Sequence, residues 1–395
     1  MLGDCSRTIR PHAPVAPTWR RPRASRALRR VALALAGGVA LAAAVATAAP
    51  AGAAPPPFLS HFSTVTPIAS TVPANGDVNP YGIANVPFST GALVRGDTLV
   101  SNFNASSNLQ GTGTTIVEIS PGGKVTPFAA LDAATLPGAC PGGVGLTTAL
   151  AVLNDGDVVV GSLPVTDAGS GTPQAGCLIV LNSQGVPLET WAGRGINGPW
   201  DMTVAQFGNV AELFVTNVLN GLAGAANDTP VNQGTVLRLL VAMPPGRAPV
   251  LVGSSTIGTG FDEELDHTAL VIGPTGLALG RNGTLYVADT VNSRIAAIPF
   301  AVFRFFPATG GGITLTEGNQ LSGPLGLTLA PNGDLITVNG GNGNGVEVTP
   351  AGFQFTGVQL DPANSGGNLF GLTIAPGGHG VLFVDDGTNT LDLLH

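Results

Sequence analysis

Six small polar residues recur at equivalent positions along the sequence, each at the end of a short apolar run, and five of them stand six residues after a glycine. They are Asn102, Ser162, Asn217, Asp289, Asn339 and Asp386. Carboxylate, amide and hydroxyl oxygens arranged in a ring could hold a hard cation such as Ca²⁺. The same residue types also form side-chain turns that fix the next loop, and their recurrence at one turn position favours this local role.

Two further residues are candidates for catalysis. The segment FDEELDH, residues 261–267, could supply metal ligands or a general base, with His267 as its histidine. Asp201 replaces the glycine of a repeated P-x-G motif and would be the one carboxylate beside a central channel. Because dense like charge normally lies in water, residues 261–267 are predicted to form a solvated acidic loop.

The middle residues of the same P-x-G motif suggest a binding surface. Tyr81, Trp200 and Phe370, together with Leu325, would form an apolar and partly aromatic rim if their side chains face the channel. Aromatic faces bind apolar ligands or the faces of sugars. The alternative is that these side chains plug the channel or pack between repeats, and the sequence leaves both interpretations open.

The elements that must position these residues form a repeat. The motif P-x-G-[L/I]-[A/T], followed by a turn and an alternating strand, recurs six times, with copies that start at Pro80, Thr147, Pro199, Pro274, Pro324 and Leu369. A third apolar strand follows in each copy, and usually a fourth. Four short antiparallel strands repeated at spacings of about 45–75 residues predict an all-β, six-bladed β-propeller.

Closure of the ring is predicted from both ends of the repeat region. The last copy is one strand short, whereas residues 62–68 form an apolar strand that precedes the first copy. An open edge would leave unpaired backbone groups that promote aggregation. We therefore expect the N-terminal strand to complete the last blade as its outer strand.

One copy is specific enough to identify a family. The segment PTGLALGRNGTLYVADTVNSRIAAI, residues 274–298, resembles the NHL repeat, and the copies that start at Pro324 and Leu369 match it in part. The resemblance implies an NHL-like six-bladed propeller, broadly similar to gluconolactonase-like and streptogramin-lyase-like propellers. It does not imply a reaction, because this architecture serves scaffolds, binding proteins and enzymes.

The ligand sets of the similar enzymes are incomplete in this chain. In gluconolactonase-type and paraoxonase-type propellers, some Ca²⁺ ligands are Asn or Asp at the middle residue of the P-x-G equivalent. The residues at that position here are Tyr81, Thr148, Trp200, Thr275, Leu325 and Phe370. None of them is a carboxylate or an amide, which counts against a calcium-dependent lactonase.

The first 53 residues have the features of an export signal. Several arginines precede an Ala/Val/Leu run at residues 31–49, which is followed by Ala51-Gly52-Ala53. This pattern predicts a signal peptide at 1–53, a propeller at 54–395, and a secreted or periplasmic protein, with Sec and twin-arginine export both open. Residues 54–395 keep 8 basic and 23 acidic residues, a net charge of −15, which disfavours nucleic acid and anionic membrane surfaces as partners.

The number and placement of the cysteines are consistent with the predicted export. Only Cys140 and Cys177 follow the predicted signal, and the blade topology places both on the same face of the second blade. An exported protein with two such thiols is expected to pair them as a disulfide.

The sequence predicts an exported, monomeric binding module for a small molecule, glycan or protein, which would use the loops on one face of the propeller. The main alternative is a Ca²⁺-assisted lactonase, esterase or lyase that uses Asp201, Asp289, Asp386 and His267. A structural partner in a cell-envelope assembly is the second alternative. No cofactor other than Ca²⁺ is suggested, and no membrane anchor is expected after signal cleavage.

Overall fold

The computed structural model describes residues 56–165, 171–222, 229–363 and 366–395. The predicted signal peptide therefore lies outside the described residues. Residues 54–395 form one compact unit. Within the described ranges, no helix is both long and apolar enough to span a bilayer.

The strands follow one another along the chain in short antiparallel sheets. The first strand is β1 (Val65–Ser70). Blade 1 contains β2 (Val78–Asn85), β3 (Thr98–Asn104), β4 (Thr115–Ile119) and β5 (Val125–Ala130). Blade 2 contains β6 (Leu146–Val152), β7 (Val158–Ser162), β8 (Cys177–Leu181) and β9 (Pro187–Trp191). Blade 3 contains β10 (Gly198–Phe207), β11 (Val210–Val218), β12 (Val231–Ala242), β13 (Val250–Asp266) and the short β14 (Leu270–Ile272).

The remaining blades repeat the four-stranded pattern. Blade 4 contains β15 (Pro274–Leu279), β16 (Leu285–Asp289), β17 (Arg294–Ile298) and β18 (Ile313–Glu317). Blade 5 contains β19 (Pro324–Leu329), β20 (Leu335–Asn339), β21 (Asn344–Val348) and β22 (Val358–Gln359). Blade 6 contains β23 (Leu369–Ile374), β24 (Val381–Asp385) and β25 (Thr390–Leu394), and β1 completes it. Short 3₁₀ turns span Phe58–His61, Ala133–Thr135 and Ala301–Phe303.

The blades form a closed ring, because the first strand of each blade adjoins the first strands of its two neighbours. The predicted all-β six-bladed propeller is thus confirmed. The P-x-G glycines are required where these inner strands meet. A Cβ on Gly276 would overlap the Leu325 carbonyl oxygen, and one on Gly371 would overlap the Tyr81 carbonyl oxygen. Burial of apolar side chains between adjacent blades supplies the core.

The N-terminal strand closes the ring as the sequence predicts. Strand β1 pairs antiparallel with β25, with Val65 opposite Leu394 and Ser70 opposite Thr390. The predicted disulfide is also present, since Cys140 and Cys177 are joined at an S–S distance of 2.09 Å. The bond links the segment before β6 to the first residue of β8. It therefore joins two loop-face segments of blade 2.

Candidate functional site

The two faces of the propeller differ in their connections. We call the face at which the first strand of each blade begins and the second strand ends the loop face, and the opposite one the turn face. The tight turns of the turn face connect first to second strands, and Gly96, Gly156, Gly283 and Gly333 adopt positive φ angles there. The longer inter-blade segments lie on the loop face and can form a binding site.

A β-hairpin covers the centre of the loop face. Strand β13 continues beyond its blade and pairs with β14, with Glu264 opposite Ile272 and Asp266 opposite Leu270. The prediction of a solvated acidic loop at residues 261–267 is therefore wrong. Glu263 is fully buried, and its Oε1 accepts hydrogen bonds from the backbone N–H groups of Asn220 at 2.8 Å and Gly221 at 3.0 Å. Burial raises the pKa of Glu263 to about 7, although these N–H groups act in the opposite direction.

The hairpin packs directly on the aromatic residues of the inner strands. The Tyr81 ring stacks on Phe370 at 3.8 Å and on Phe103 at 4.4 Å between ring centroids. The Tyr81 hydroxyl donates to the Thr268 carbonyl at 3.4 Å, and Trp200 Nε1 donates to the Val271 carbonyl at 3.0 Å.

Tyr81, Trp200, Leu325 and Phe370 are all buried in one cluster with Leu270 and Val271 of the hairpin. The prediction that they form an open ligand-binding rim is wrong, because the hairpin covers them. They plug the channel, which is the alternative that the sequence left open.

The ring of polar residues holds the loops. Asn217 Oδ1 accepts from the backbone N–H of Asn197 at 2.7 Å, and Asn339 Oδ1 accepts from that of Ser322 at 3.1 Å. Asp289 forms a salt bridge with Arg294 at 2.6 Å.

Two other members of the ring act as donors. Asn102 Nδ2 donates to the Thr71 carbonyl at 3.0 Å, and the Ser162 hydroxyl donates to the Gly143 carbonyl at 3.0 Å. Except for the Asp289–Arg294 pair, these bonds join the end of a second strand to the segment before the first strand of the same blade, so they fasten loops and are not local side-chain turns.

The sixth member of this ring is Asp385 and not Asp386. Leu369 at the start of β23 lies opposite Asp385, as Pro274 lies opposite Asp289 and Pro324 opposite Asn339. The glycine spacing misplaces this position by one residue, because Gly380 lies immediately before β24 and not two residues before it. Asp385 Oδ1 accepts from the Thr388 N–H at 3.2 Å, whereas Asp386 lies outside the ring.

These residues do not fit a calcium site. Ca²⁺ takes six to eight oxygen ligands, but the ring side chains are engaged in separate loops. No group of three or more His, Cys, Asp or Glu residues converges anywhere in the part of the chain that the structure describes.

A polar cleft of about 610 Å³ lies on the loop face beside the hairpin. Its polar lining residues are Asn79, Asn104, Asn108, Gln110, Thr172, Asp266, His267, Thr268, Asn368 and Asp386. Leu109, Leu265 and Leu270 supply a smaller apolar part. None of the described residues that line the cleft is a lysine or an arginine. The cleft thus presents many amide groups and a net negative charge.

Two buried amide oxygens in the cleft wall lack a hydrogen-bond partner. They are Asn79 Oδ1 and Asn104 Oδ1, and both residues are 2% exposed. Asn79 is held by its backbone, whose N–H donates to Asn389 Oδ1 at 2.7 Å, and Asn104 Nδ2 donates to Asn108 Oδ1 at 2.8 Å. An unpaired buried polar atom costs about 1–3 kcal/mol, so both oxygens are unsatisfied acceptors in the folded protein.

The predicted catalytic residues are divided between two cavities. His267 and Asp386 line the loop-face cleft, where burial and then the charge of Asp385 raise the pKa of Asp386 to about 6. Asp201 instead lines a separate chamber of about 140 Å³ between the inner strands. The prediction of one constellation containing Asp201 and His267 is therefore wrong, because the plug of aromatic residues and the hairpin cover the inner strands on the loop face.

The Asp201 carboxyl is buried among backbone groups. Its Oδ1 accepts from the Met202 N–H at 2.8 Å and its Oδ2 from the Leu277 N–H at 3.1 Å. Burial nevertheless dominates and raises the pKa of Asp201 to about 8. The proton that the folded protein retains on this group makes stability depend on pH.

Replacing Asp201 with asparagine is expected to flatten the dependence of stability on pH. The folded-state pKa of about 8 exceeds the ordinary value of 3.8, so the folded protein binds more protons than the unfolded chain between these values. The free energy of unfolding then falls as the pH rises through this window, by at most about 1.4 kcal/mol per pH unit. Urea unfolding near pH 5 and near pH 8 measures the slope for the wild type and for Asp201→Asn.

Asp132→Asn is the matched control for this experiment, because Asp132 is exposed and asparagine can also accept the hydrogen bond from the Ala134 N–H. The control should keep the wild-type slope. An equal slope in wild type and Asp201→Asn would contradict the assignment of a retained proton to Asp201.

Residues 272–298, which include β15–β17, match the NHL repeat family. The comparison with curated protein sequences gave no match. Among solved structures, a gluconolactonase from Xanthomonas campestris is 16% identical, with a TM-score of 0.50 over 84% of this chain and 89% of that chain. A streptogramin B lyase is 14% identical, with a TM-score of 0.50 over 85% and 98% of the two chains. The aldose sugar dehydrogenase from Streptomyces coelicolor, in its PQQ-bound form, is 16% identical, with a TM-score of 0.50 over 84% and 97%.

These comparisons confirm the resemblance to NHL-repeat propellers and to the fold of gluconolactonase-like and streptogramin-lyase-like proteins. At such low identities, the likeness to solved structures concerns the fold alone.

Proposed function

We propose that the protein binds a small, neutral, hydroxyl-rich molecule, such as a monosaccharide, in the loop-face cleft. The observation that carries the proposal is that two residues lining the cleft, Asn79 and Asn104, each have a buried side-chain oxygen without a hydrogen-bond partner. A hydroxyl donor that reaches them replaces an unsatisfied buried acceptor with a hydrogen bond.

The rest of the lining supports the same ligand class. Gln110 Nε2 donates to the His267 carbonyl at 3.1 Å and Asn368 Nδ2 donates to Asp361 Oδ2 at 2.9 Å, which orients two side-chain amides at the cleft. An amide group carries two N–H donors and an oxygen acceptor, which suits hydroxyl groups that both donate and accept. Leu109 and Leu265 provide the apolar contact that the carbon-bound faces of a sugar need. The volume of about 610 Å³ lies within the range of small-molecule sites.

The charge of the cleft selects against anions. Asp266 and Asp386 contribute negative charge, and none of the described lining residues is a lysine or an arginine. Sugar phosphates and sugar acids should therefore bind less well than neutral sugars of the same size.

A calorimetric titration with a panel of neutral hexoses and pentoses tests the proposal. We expect Asn79→Gly/Asn104→Ala to weaken the affinity for the bound sugar by about tenfold, because two hydrogen bonds are lost. Glycine suits position 79, where φ is +60°. Asn154→Ala, on an exposed turn-face loop, is the control and should bind as the wild type does. Binding that is equal in the wild type and the double variant would place the ligand elsewhere.

A second candidate function is hydrolysis of a lactone or ester in the same cleft. It is favoured by Asp386, whose pKa of about 6 leaves it ionised at neutral pH beside a cleft that also contains His267. Asp386→Asn would then abolish turnover of a lactone such as a neutral sugar lactone and would leave sugar binding largely intact. The binding function predicts no turnover in either protein.

We also propose that the protein works outside the cytoplasm. The Cys140–Cys177 disulfide supports this location, because disulfides persist mainly in oxidising compartments. The leader-like residues 1–53 support it from the sequence. Fractionation of cells that produce the full chain tests the location.

A further inference from the structure

Four phenylalanine side chains project from the turn face of blade 4. They belong to the connection between β17 and β18, and we call residues 300–306 the aromatic ridge. The exposed fractions are 72% for Phe300, 76% for Phe303, 88% for Phe305 and 82% for Phe306. Large apolar side chains exposed together are uncommon on a soluble monomer and mark an interaction surface.

The ridge is fixed to the propeller and is not a loose loop. Arg238 Nη1 of blade 3 donates to the carbonyl oxygens of Ala301, at 3.1 Å, and Val302. The Ala301 N–H donates to the Gly283 carbonyl at 2.9 Å. Phe300 has a φ of +57°, an uncommon conformation for a bulky residue, which these contacts hold in place. The start of the ridge is therefore attached to blade 3 and to the first turn of blade 4.

Blade 3 also exposes apolar side chains on the turn face. The segment that follows the ridge pairs with β13, since the Ala308 N–H donates to the Ile257 carbonyl at 2.8 Å. On blade 3, Phe207 and Val210 flank the turn between β10 and β11, and Val250 and Val252 begin β13. All four side chains are exposed. Blades 3 and 4 thus each expose apolar side chains on the turn face.

Basic residues are concentrated at this edge. Residues 54–395 contain 8 basic residues, of which four lie in the ridge, in the turns of blades 3 and 4 or on the strand that holds the ridge. These are Arg238, Arg247, Arg281 and Arg304. Acidic turn-face residues lie on the blades to either side, with Asp155 and Asp157 in blade 2 and Asp334 in blade 5. Glu212 of blade 3 lies near Arg238, so basic residues outnumber acidic ones at this edge of an otherwise acidic protein.

We propose that the aromatic ridge docks the propeller on the surface of a lipid bilayer that contains anionic headgroups. Projecting phenylalanines can enter the boundary between headgroups and acyl chains, while arginines beside them contact phosphate groups. The interaction is local, because charges more than about 8–10 Å from the surface are screened at physiological ionic strength. The acidic turns on both sides would keep the propeller edge-on, with blades 3 and 4 toward the lipid.

The net charge of −15 describes residues 54–395 as a whole, and it disfavours contact between an average part of this surface and an anionic membrane. The ridge is the place where the local charge has the opposite sign. The ridge is better suited to a bilayer than to a groove on another protein. A groove would need a pocket that matches four separate side chains, whereas a bilayer needs none.

Co-sedimentation with lipid vesicles tests the proposal on residues 54–395, which form one compact unit without the apolar run at residues 31–49. The vesicles contain equal parts of phosphatidylcholine and phosphatidylglycerol. We expect Phe305→Ser/Phe306→Ser to lower the partition coefficient about tenfold or more, because two large apolar side chains are lost. Both residues are exposed, so folding should be unaffected. Arg247→Gln should lower binding less, and its effect should vanish at high salt.

Phe353→Ser is the matched control, since Phe353 is also an exposed phenylalanine but lies in blade 5. It should bind vesicles as the wild type does. Failure of the wild type to sediment with the vesicles, or an equal loss in the control, would overturn the proposal. Sedimentation equilibrium without lipid adds one further outcome: a dimer that Phe305→Ser/Phe306→Ser dissociates would identify the ridge as a contact between copies and would also overturn it.

Discussion

Removing residues 56–70 is expected to abolish cooperative folding of the propeller. The deletion takes away β1, the outer strand of blade 6, and leaves the edge of β25 unpaired along the register from Val65–Leu394 to Ser70–Thr390. It also removes Leu59, which is buried in the core. The combined loss of a strand and of core packing is comparable with the about 5–15 kcal/mol by which domains are stable.

The deletion also removes hydrogen-bond donors from a buried carboxylate. Glu347 in β21 is fully buried and accepts hydrogen bonds from the N–H groups of Phe58 and Leu59, each at 2.7 Å. Without these donors the carboxylate loses both backbone partners and keeps the Asn332 Nδ2 donor at 2.9 Å, and a buried carboxylate that loses hydrogen bonds is destabilising. The N-terminal segment therefore closes the ring and also satisfies blade 5.

Circular dichroism and urea unfolding measure this effect. We expect the deleted protein to aggregate or to unfold without a sharp transition, and Glu347→Ala to lower the free energy of unfolding by about 1–3 kcal/mol. Ser60→Ala is the control, because the Ser60 hydroxyl is exposed and donates only to the Pro57 carbonyl. A deleted protein that unfolds cooperatively at the wild-type urea midpoint would show that the ring closes without β1.

Replacing both disulfide cysteines with alanine is expected to lower the free energy of unfolding by about 3–4 kcal/mol. The bond closes a loop with a sequence separation of 37 residues, and restricting a loop of that length in the unfolded chain accounts for this magnitude. Alanine suits position 177, which is fully buried in β8. Urea unfolding of the double variant and of the reduced wild type should give the same value.

The bond also supports the cleft. It joins blade 2 segments near the loop that contains Thr172 and Pro173, two cleft-lining residues, and the Gly142 N–H donates to the Ala175 carbonyl at 2.8 Å beside it. The double variant should therefore bind sugar more weakly as well. Unchanged stability under reducing and oxidising conditions would contradict both the bond and the support it gives to an extracytoplasmic location.

The fold could be predicted from the sequence because its determinants are local and repeated. Each P-x-G glycine lies where inner strands approach too closely for a Cβ, and each turn glycine adopts a positive φ, so both recur at fixed spacing. The closing strand followed from an unpaired edge, and the disulfide followed from blade topology. The aromatic residues were correctly located at the channel, but whether the channel is open depends on a hairpin that, among the described residues, belongs to blade 3 and is not part of the repeat.

The candidate site could not be predicted because it is built from segments that do not repeat. The cleft combines loops of blades 1, 2 and 6 with the β13–β14 hairpin. An acidic run such as residues 261–267 looks solvated by composition, yet Glu263 is buried because its backbone partners come from a distant loop at residues 220–221. The one available signal was the asparagine-rich stretch at the end of β3 and immediately after it, which contributes Asn104 and Asn108 to the cleft.

The most direct test of sugar binding in the cleft is a nuclear magnetic resonance titration of residues 54–395 labelled with ¹⁵N at asparagine. The side-chain amide signals of Asn79, Asn104 and Asn368 report on the cleft wall, and that of Asn154 reports on a remote turn. We predict that a neutral hexose or pentose shifts the cleft signals in a saturable manner and leaves the Asn154 signal unchanged. If no neutral sugar in the panel shifts the cleft signals, or if the saturable shifts occur only outside the cleft, the account is contradicted.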